Sequence, residues 1–493
     1  MNATTMGVDT PEKNGRLTGS LHVWDIMFMV IATSAPLTVI VAVYPIGFTI
    51  GNGAGFPAAF LGMGIVLLIF SVGFTTMTRH VPKPGAFFTY IAHGLGRPLG
   101  LAGAYVAILC YECIELGVVA YFGYDVSVTI AGYTGIHVPW FLLSTLEWLA
   151  IGFLGYRNIE ISAKVLGVLL SVEILISLVI SFVVLADGGA HGIDAVSFAP
   201  SAFLSGAPSL GIMFAAASYI GFESTAIYRD EARDPPRTIP HATYGAVVVL
   251  AVFYTFTSWA FVMALGSADV VKAANADPQF LFTVAERYIG GTGNILTHIF
   301  VITSIFAVTL AFHNVVARYL HALGNVRALP TYLGRVGSRA APSAASLTTS
   351  AMTAIIIVAA TFAGWDPAAQ MFTWFVGLGT LAYLIILAAC SLAVFVYFAL
   401  KAERRRAEST WKVIVLPVLA VLGLGIACYI TIANFPLLVG DVDAKGNVIF
   451  GGLSAALLVV LIAFAVFGFV EAYVMRVRNR PAYDAITESG KGL

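Results

Sequence analysis

Twelve stretches of mostly apolar residues, nearly all about 20 residues long or longer, constrain this chain more than any other feature. They fall near residues 24–50, 56–78, 99–124, 139–157, 162–186, 208–228, 240–265, 291–320, 343–363, 369–398, 411–433 and 452–475. A helix needs about 20 mainly apolar residues to cross the hydrocarbon core of a bilayer. Transmembrane strands would instead leave alternating segments of about 10 residues, a pattern the sequence lacks. The charge content agrees. Only 11% of the residues are charged and 59% are hydrophobic, whereas a soluble chain carries about 25% charged residues. Too little polar surface remains to wet a soluble body of 493 residues. The expected fold class is all-α transmembrane, with 12 helices.

Loop charges orient the helices. With the N-terminus placed in the cytoplasm, the cytoplasmic segments hold 23 Lys and Arg residues and the outer segments only Lys272, Arg287 and Lys445. Basic residues concentrate on the cytoplasmic side of membrane proteins, so the chain reads as a multi-pass protein of the cytoplasmic (inner) membrane with both ends inside. Residues 1–20 are polar and lack the apolar core of a signal peptide. The expected organisation is a tail over 1–22, one repeat over 23–200, a second over 201–400, helices 11 and 12 over 401–476, and a C-terminal tail over 477–493. Cys110, Cys113, Cys390 and Cys428 all sit in apolar stretches. They read as packing residues, not as a disulfide framework or a metal site. Formal net charge is zero, so no global field favours nucleic acid.

Two helices are interrupted at mid-membrane. The first contains Ala32-Thr33-Ser34-Ala35-Pro36 and the sixth Ser218-Tyr219-Ile220-Gly221-Phe222-Glu223. Proline removes an amide donor and clashes with the preceding turn, and glycine loosens the helix and leaves space above the backbone. The two interruptions lie five helices apart, as expected if helices 1–5 and 6–10 form an inverted repeat. Unwound segments at a repeat interface hold substrate and coupling ion. The candidate substrate-binding residues are therefore Ala32, Thr33, Ser34, Ala35, Ser218, Tyr219, Ile220, Gly221 and Phe222.

Ionisable groups in the membrane are costly and mark functional sites by default. Here they are nearly all acids: Glu112 and Glu115 on helix 3, Glu147 on helix 4, Glu173 on helix 5 and Glu223 after the helix-6 interruption. No Lys or Arg lies near the centre of any span. These carboxyls must be protonated or balanced by something mobile: a proton, a metal cation or a cationic substrate. Glu223, Glu173, Glu112 and Glu115 are the candidates for proton coupling or gating. Glu112 and Glu115, three apart, share a helix face. His313 reads as a core histidine before a proton relay, and Tyr219, Phe222, Phe312, Trp374 and Phe375 are aromatics able to stack on an ammonium group.

Enzyme signatures are missing. There is no H-E-x-x-H, phosphate-cradling loop or G-x-S-x-G, and the glycine pair at 377–382 lies inside a hydrophobic span with no strand before it. No catalytic residue, metal ligand or cofactor is expected.

The segment Glu231-Ala232-Arg233-Asp234-Pro235-Pro236-Arg237-Thr238-Ile239-Pro240-His241-Ala242, with Tyr219 to Glu223 before it, resembles the amino acid–polyamine–organocation permease family. Pro84 to Tyr90 and Arg318 to Pro330 support the likeness, which covers the whole chain. The resemblance implies a LeuT-like fold of five-plus-five inverted repeats with two extra C-terminal helices. It also implies that an amino acid's carboxylate meets amides of Ala32 to Pro36 and its amine meets carbonyls of Ser218 to Phe222. Glu223 takes the place of an acid involved in gating or proton sensing in some relatives.

The sequence departs from that pattern at three places. Ala-Thr-Ser-Ala-Pro replaces a glycine-rich interruption in helix 1, which presents fewer bare amides and gives weight to a plain amine or polyamine. Ala217 stands where relatives place an aromatic gate, leaving more room. Glu173 stands where some proton-coupled relatives have a lysine, so a proton or a sodium ion could occupy it. The expected function is secondary active transport of an amino acid, amine or polyamine, coupled to a proton. An exchanger or sodium symporter is the nearest alternative, and a channel or transporter-like sensor a distant one.

Overall fold

A computed structural model of the protein describes residues 19–81, 86–156, 159–277, 279–337, 341–400 and 402–487. Most of the N-terminal tail, the far end of the C-terminal tail, Pro84 and Gly85 of the 84–90 motif, and the basic residues Lys13, Arg16, Lys83, Arg157, Arg339, Lys401 and Lys491 lie outside the described residues.

The described residues form helices and no strand; only two isolated bridges, Leu21–Ala232 and Val442–Val448, pair extended backbone. The crossings are α1a (Val23–Thr33) and α1b (Pro36–Ala42), α2 (Phe56–His80), α3 (Arg97–Thr134), α4 (Trp140–Tyr156) and α5 (Ile159–Asp187). They continue with α6a (Pro208–Ser218), the 3₁₀-wound α6b (Phe222–Glu231), α7 (Pro235–Leu265), α8 (Phe280–Asn325), α9 (Ser343–Ala363), α10 (Thr373–Ala399), α11 (Leu416–Ala433) and α12 (Gly452–Arg478). Eleven of the spans are long and apolar enough to cross a membrane, and α4 is a shorter apolar helix. An even number of crossings leaves Val23 and Arg478 on one face, called here the terminal face.

The helix ends follow local chemistry. Proline occupies the first turn of α1b, α2, α3, α6a, α7 and α11, where a missing amide hydrogen costs nothing and φ is already helical. Gly135 and Gly364 close α3 and α9 in the left-handed conformation. Gly290, at φ 76°, splits the long α8, which is why the apolar run is legible only from residue 291.

Burial orders the bundle. The most apolar stretch of α3 is 89% buried against 17% for that of α12, so α3 is central and α12 peripheral. α3 packs on α4, α8, α10 and α12, α7 lies along α2, and α1 wedges between α5, α7 and α8. The broken helices are thus held between two packed groups, α2 with α7 on one side and α3 with α8 on the other.

Candidate functional site

The α1 interruption is made by Ala35 and not, as the sequence suggested, by Pro36. Ala35 adopts φ 41°, ψ 68°, in the left-handed region, and Pro36 is the first residue of α1b. The amides of Ser34 and Ala35 turn back onto the Ile31 and Ala32 carbonyls at 3.0 and 3.1 Å. The Thr38 amide reaches Ser304 Oγ on α8 at 3.3 Å. Of the donors expected to face a substrate carboxylate, the Ser34 and Ala35 amides are therefore engaged locally.

The α6 interruption turns at Gly221, φ 110°. A Cβ there would lie 2.5 Å from Thr33 Cβ, so glycine serves both the backbone angle and the contact between the interruptions. Ser34 Oγ donates across this contact to the Ile220 carbonyl at 3.1 Å, and Tyr254 of α7 donates to the Ser34 carbonyl at 2.7 Å.

Glu223 closes the α6 turn. It is fully buried, accepts the Gly221 amide at 3.0 Å through Oε2, and accepts the Tyr111 hydroxyl of α3 through Oε1. Glu173 is also fully buried. Its carboxyl lies beside Ser304 and the Leu37 amide, at the start of α1b, without a hydrogen bond to either.

A cavity of about 90 Å³ opens where the two interruptions meet, room for roughly half a dozen waters at one probe sphere each. Thr33, Ser34, Ala35, Ser218 and Ile220 line it, as does Ala217. Its walls are Thr38 and Val39 of α1b, Ile114 and Val118 of α3, Val308 and Phe312 of α8, and Phe372 and Val376 at the head of α10. No charged side chain is among the lining residues. The lining extends along α1b to Val43, away from the terminal face. On the terminal side lie ionic and backbone ties. Arg318 of α8 meets Glu231 at 3.1 Å, lies 4.8 Å above the Tyr228 ring and donates to the Asn314 carbonyl. Leu21 and α6b pair through the Leu21 amide and the Glu231 carbonyl at 2.8 Å.

Four of the nine expected substrate residues do not line the cavity. Ala32 is buried in α1a. Tyr219 points to α2, donating to the Phe60 carbonyl at 2.8 Å, and Phe222 packs edge-on against Phe70. Gly221 shapes the site from behind. Of the proposed stacking aromatics only Phe312 reaches the cavity; Trp374 packs on Trp365. Glu112 and Glu115 lie elsewhere, between α3 and α9, where Thr353 Oγ1 is 3.3 Å from an oxygen of each. The expectation that the buried acids have no fixed basic partner fails at Glu115, because His313 Nδ1 sits 3.0 Å from it. Tyr111, Phe372 and the Glu231–Arg318 pair escaped sequence reading, since each pairing joins segments far apart in the chain. Cys110 and Cys113 are buried and free, with Cys110 donating to the Gly379 carbonyl. No group of three or more His, Cys, Asp or Glu among the described residues could hold a metal ion.

The sequence profile described as "Amino acid permease" matches residues 25–482. The chain is 24% identical to the serine/threonine exchanger SteT of Bacillus subtilis, over 50% of this chain and 55% of that protein. It is 22% identical to the histidine permease HisP of Lactococcus lactis, over 60% of this chain and 64% of the relative. The chain thus spans less than two thirds of the length of either. A crystal structure of the Eremococcus coleocola manganese transporter, in complex with an aromatic bis-isothiourea compound, matches with a TM-score of 0.58. That likeness covers 93% of this chain and 98% of the other at 11% identity, which speaks for the LeuT-like fold alone.

Proposed function

Because this chain belongs to the amino acid permease family, we propose that it is a secondary transporter that carries an amino acid with a compact, uncharged side chain across the cytoplasmic membrane, driven by protons. The observation that carries this reading is the cavity itself: polar groups of two helix interruptions at one end, and Ile114, Val118, Val308, Phe312, Phe372 and Val376 as walls. A cationic side chain or a polyamine would be buried there with no counter-charge, which is strongly unfavourable.

The Ser34–Ile220 bond offers a way to recognise the zwitterion. A carboxylate is a stronger acceptor than a peptide carbonyl, so it takes the Ser34 hydroxyl, and the freed Ile220 carbonyl receives the ammonium group. One neutral bond is replaced by two charge-assisted ones. The helix-1 amides, already paired, play the smaller part.

Glu223 supplies the proton step. As a carboxylate it accepts from both Gly221 and Tyr111. Once protonated it loses its charge and gains a hydrogen to donate, so both bonds lose their charge assistance, and the turn that shapes the site is loosened. Residues 23–200 and 201–400 are the two halves that rock about this point, both termini are cytoplasmic, and the cavity faces outward. A sodium-coupled version is favoured by Glu173, whose unpaired carboxyl lies near Ser304 and Thr38.

Purified protein in proteoliposomes tests both parts. Under an inward proton gradient it should accumulate radiolabelled alanine, with competition from serine and valine and none from arginine, glutamate or putrescine. Uptake indifferent to the gradient would sink the proton-driven reading; equal competition by arginine or putrescine would sink the side-chain assignment.

A further inference from the structure

We propose that the wall behind the cavity holds an exchangeable proton of its own, shared among Glu112, Glu115, Glu147 and His313 and distinct from Glu223. Cavity and cluster are one residue apart on two helices. Ile114 and Phe312 face the cavity, and the next residues, Glu115 and His313, meet each other behind it at 3.0 Å. Consecutive residues on a helix point about 100° apart, so one wall presents an apolar side to substrate and an acidic side to α4 and α9.

The site is built. His313 Nε2 lies 2.9 Å from Ser346 Oγ of α9, and Gly155 of α4 makes room for the ring: a Cβ there would be 2.6 Å from His313 Cδ2. Thr353 of α9 sits 3.3 Å from one oxygen of Glu112 and one of Glu115, and also 3.1 Å from the Thr349 carbonyl. One hydroxyl hydrogen cannot serve all three. Glu147 of α4, 3% exposed, stands beside Glu115 and Thr309 with neither oxygen hydrogen-bonded. Glu112 Oε2 and Glu115 Oε2 are unpartnered as well.

Hydrogens are what the cluster lacks. Three carboxyl groups offer six oxygens, and among the described residues only His313 and Thr353 come within hydrogen-bond distance of them; Thr309, beside Glu147, gives its hydrogen to the Ile305 carbonyl. With every acid ionised, two net negative charges would be buried even with His313 protonated, at a cost on the order of several kcal/mol per ion that a proton on the carboxyl removes. Among the described residues the neighbouring elements bring no balancing cation. On α3 Cys113 neighbours Glu112, and the Tyr111 hydroxyl is turned to Glu223. Next to the cluster α9 presents only Ser346, Thr349, Ser350 and Thr353. On α8 Arg318 is engaged by Glu231, the Asn314 carbonyl and the Tyr228 ring. Protons on the carboxyls themselves supply the missing donors, and His313 offers a second basic position to which one of them can move.

Infrared difference spectroscopy of the full chain in lipid bilayers, with pH stepped through the range in which the protein stays folded, reads the site without any substrate. A failure of the transport reading therefore leaves this test intact. A protonated-carboxyl band should titrate, lose intensity in Glu147→Gln and in Glu112→Gln, and persist in Glu223→Gln. Its midpoint should move by about one pH unit or more in His313→Gln, the scale of coupling between interacting groups. The amide band of the same spectra checks folding, and should one of the three cluster variants misfold, the other two decide. A carboxyl band that stays fixed across the pH range, or a titrating signal lost only in Glu223→Gln, overturns the proposal.

Discussion

The two helix interruptions meet at one cavity but are held by different means. In α1 the backbone is turned by Ala35 and tied by neutral groups: two local amide bonds, the Ser34 hydroxyl and the Tyr254 hydroxyl. In α6 it is turned by Gly221 and tied by the Glu223 carboxyl. Neutral ties hold equally at every pH, whereas a carboxylate tie changes character when it gains a proton. On the proposed proton-driven reading, the α1 side serves as the fixed wall of the site and the α6 side as the part that protons move.

The most damaging way to break this contrast is Gly221→Leu. The side chain would force a left-handed angle and overlap Thr33, at a cost of at least about 3 kcal/mol. Ligand-induced thermal shift should vanish; an unchanged shift would put the site elsewhere. Glu223→Gln comes next. Its amide oxygen cannot accept from both Gly221 and Tyr111 as well as a carboxylate does, a loss of about 1–3 kcal/mol. Uptake should slow by roughly tenfold and its dependence on pH should flatten. A wild-type pH profile would transfer proton sensing to another acid.

Ser34→Ala sharpens the contrast from the other side. It removes the proposed carboxylate donor, so affinity for alanine should fall by about fivefold, the equivalent of ~1 kcal/mol, with the pH profile unmoved. Calorimetric titration at two pH values separates these outcomes, and a moved profile would show the α1 side to be proton-sensitive too. Smallest is Ala35→Gly. Glycine accepts the left-handed angle that costs alanine about 1–2 kcal/mol, partly offset by a more flexible unfolded chain. Thermal unfolding should shift upward by a degree or two, and a downward shift would deny that Ala35 is strained.

Much of the architecture could be read before any coordinates. Apolar run length marks a span wherever it falls, and proline and glycine act on the backbone within a turn of themselves. That is why the twelve runs and both interruptions were visible. Glycine's role at 221 was legible in kind; the reason for it, contact with Thr33, was not. Which residues of the interruptions face the cavity was missed for Tyr219 and Phe222, because an unwound segment has no helical period from which to read direction.

Sequence by itself determined that the chain crosses a membrane twelve times, that its first and sixth helices are interrupted, and that its buried charge is nearly all acidic. These are local properties, fixed by composition along short windows. Only the tertiary structure decided who meets whom: Tyr111 with Glu223 at a separation of 112 residues, and His313 with Glu115 at 198. Helix packing brings those pairs together, and packing depends on the shapes of whole helix faces. Hence acids of one kind in the sequence acquire different settings in the fold: Glu223 at the α6 turn, and Glu112, Glu115 and Glu147 behind the cavity wall.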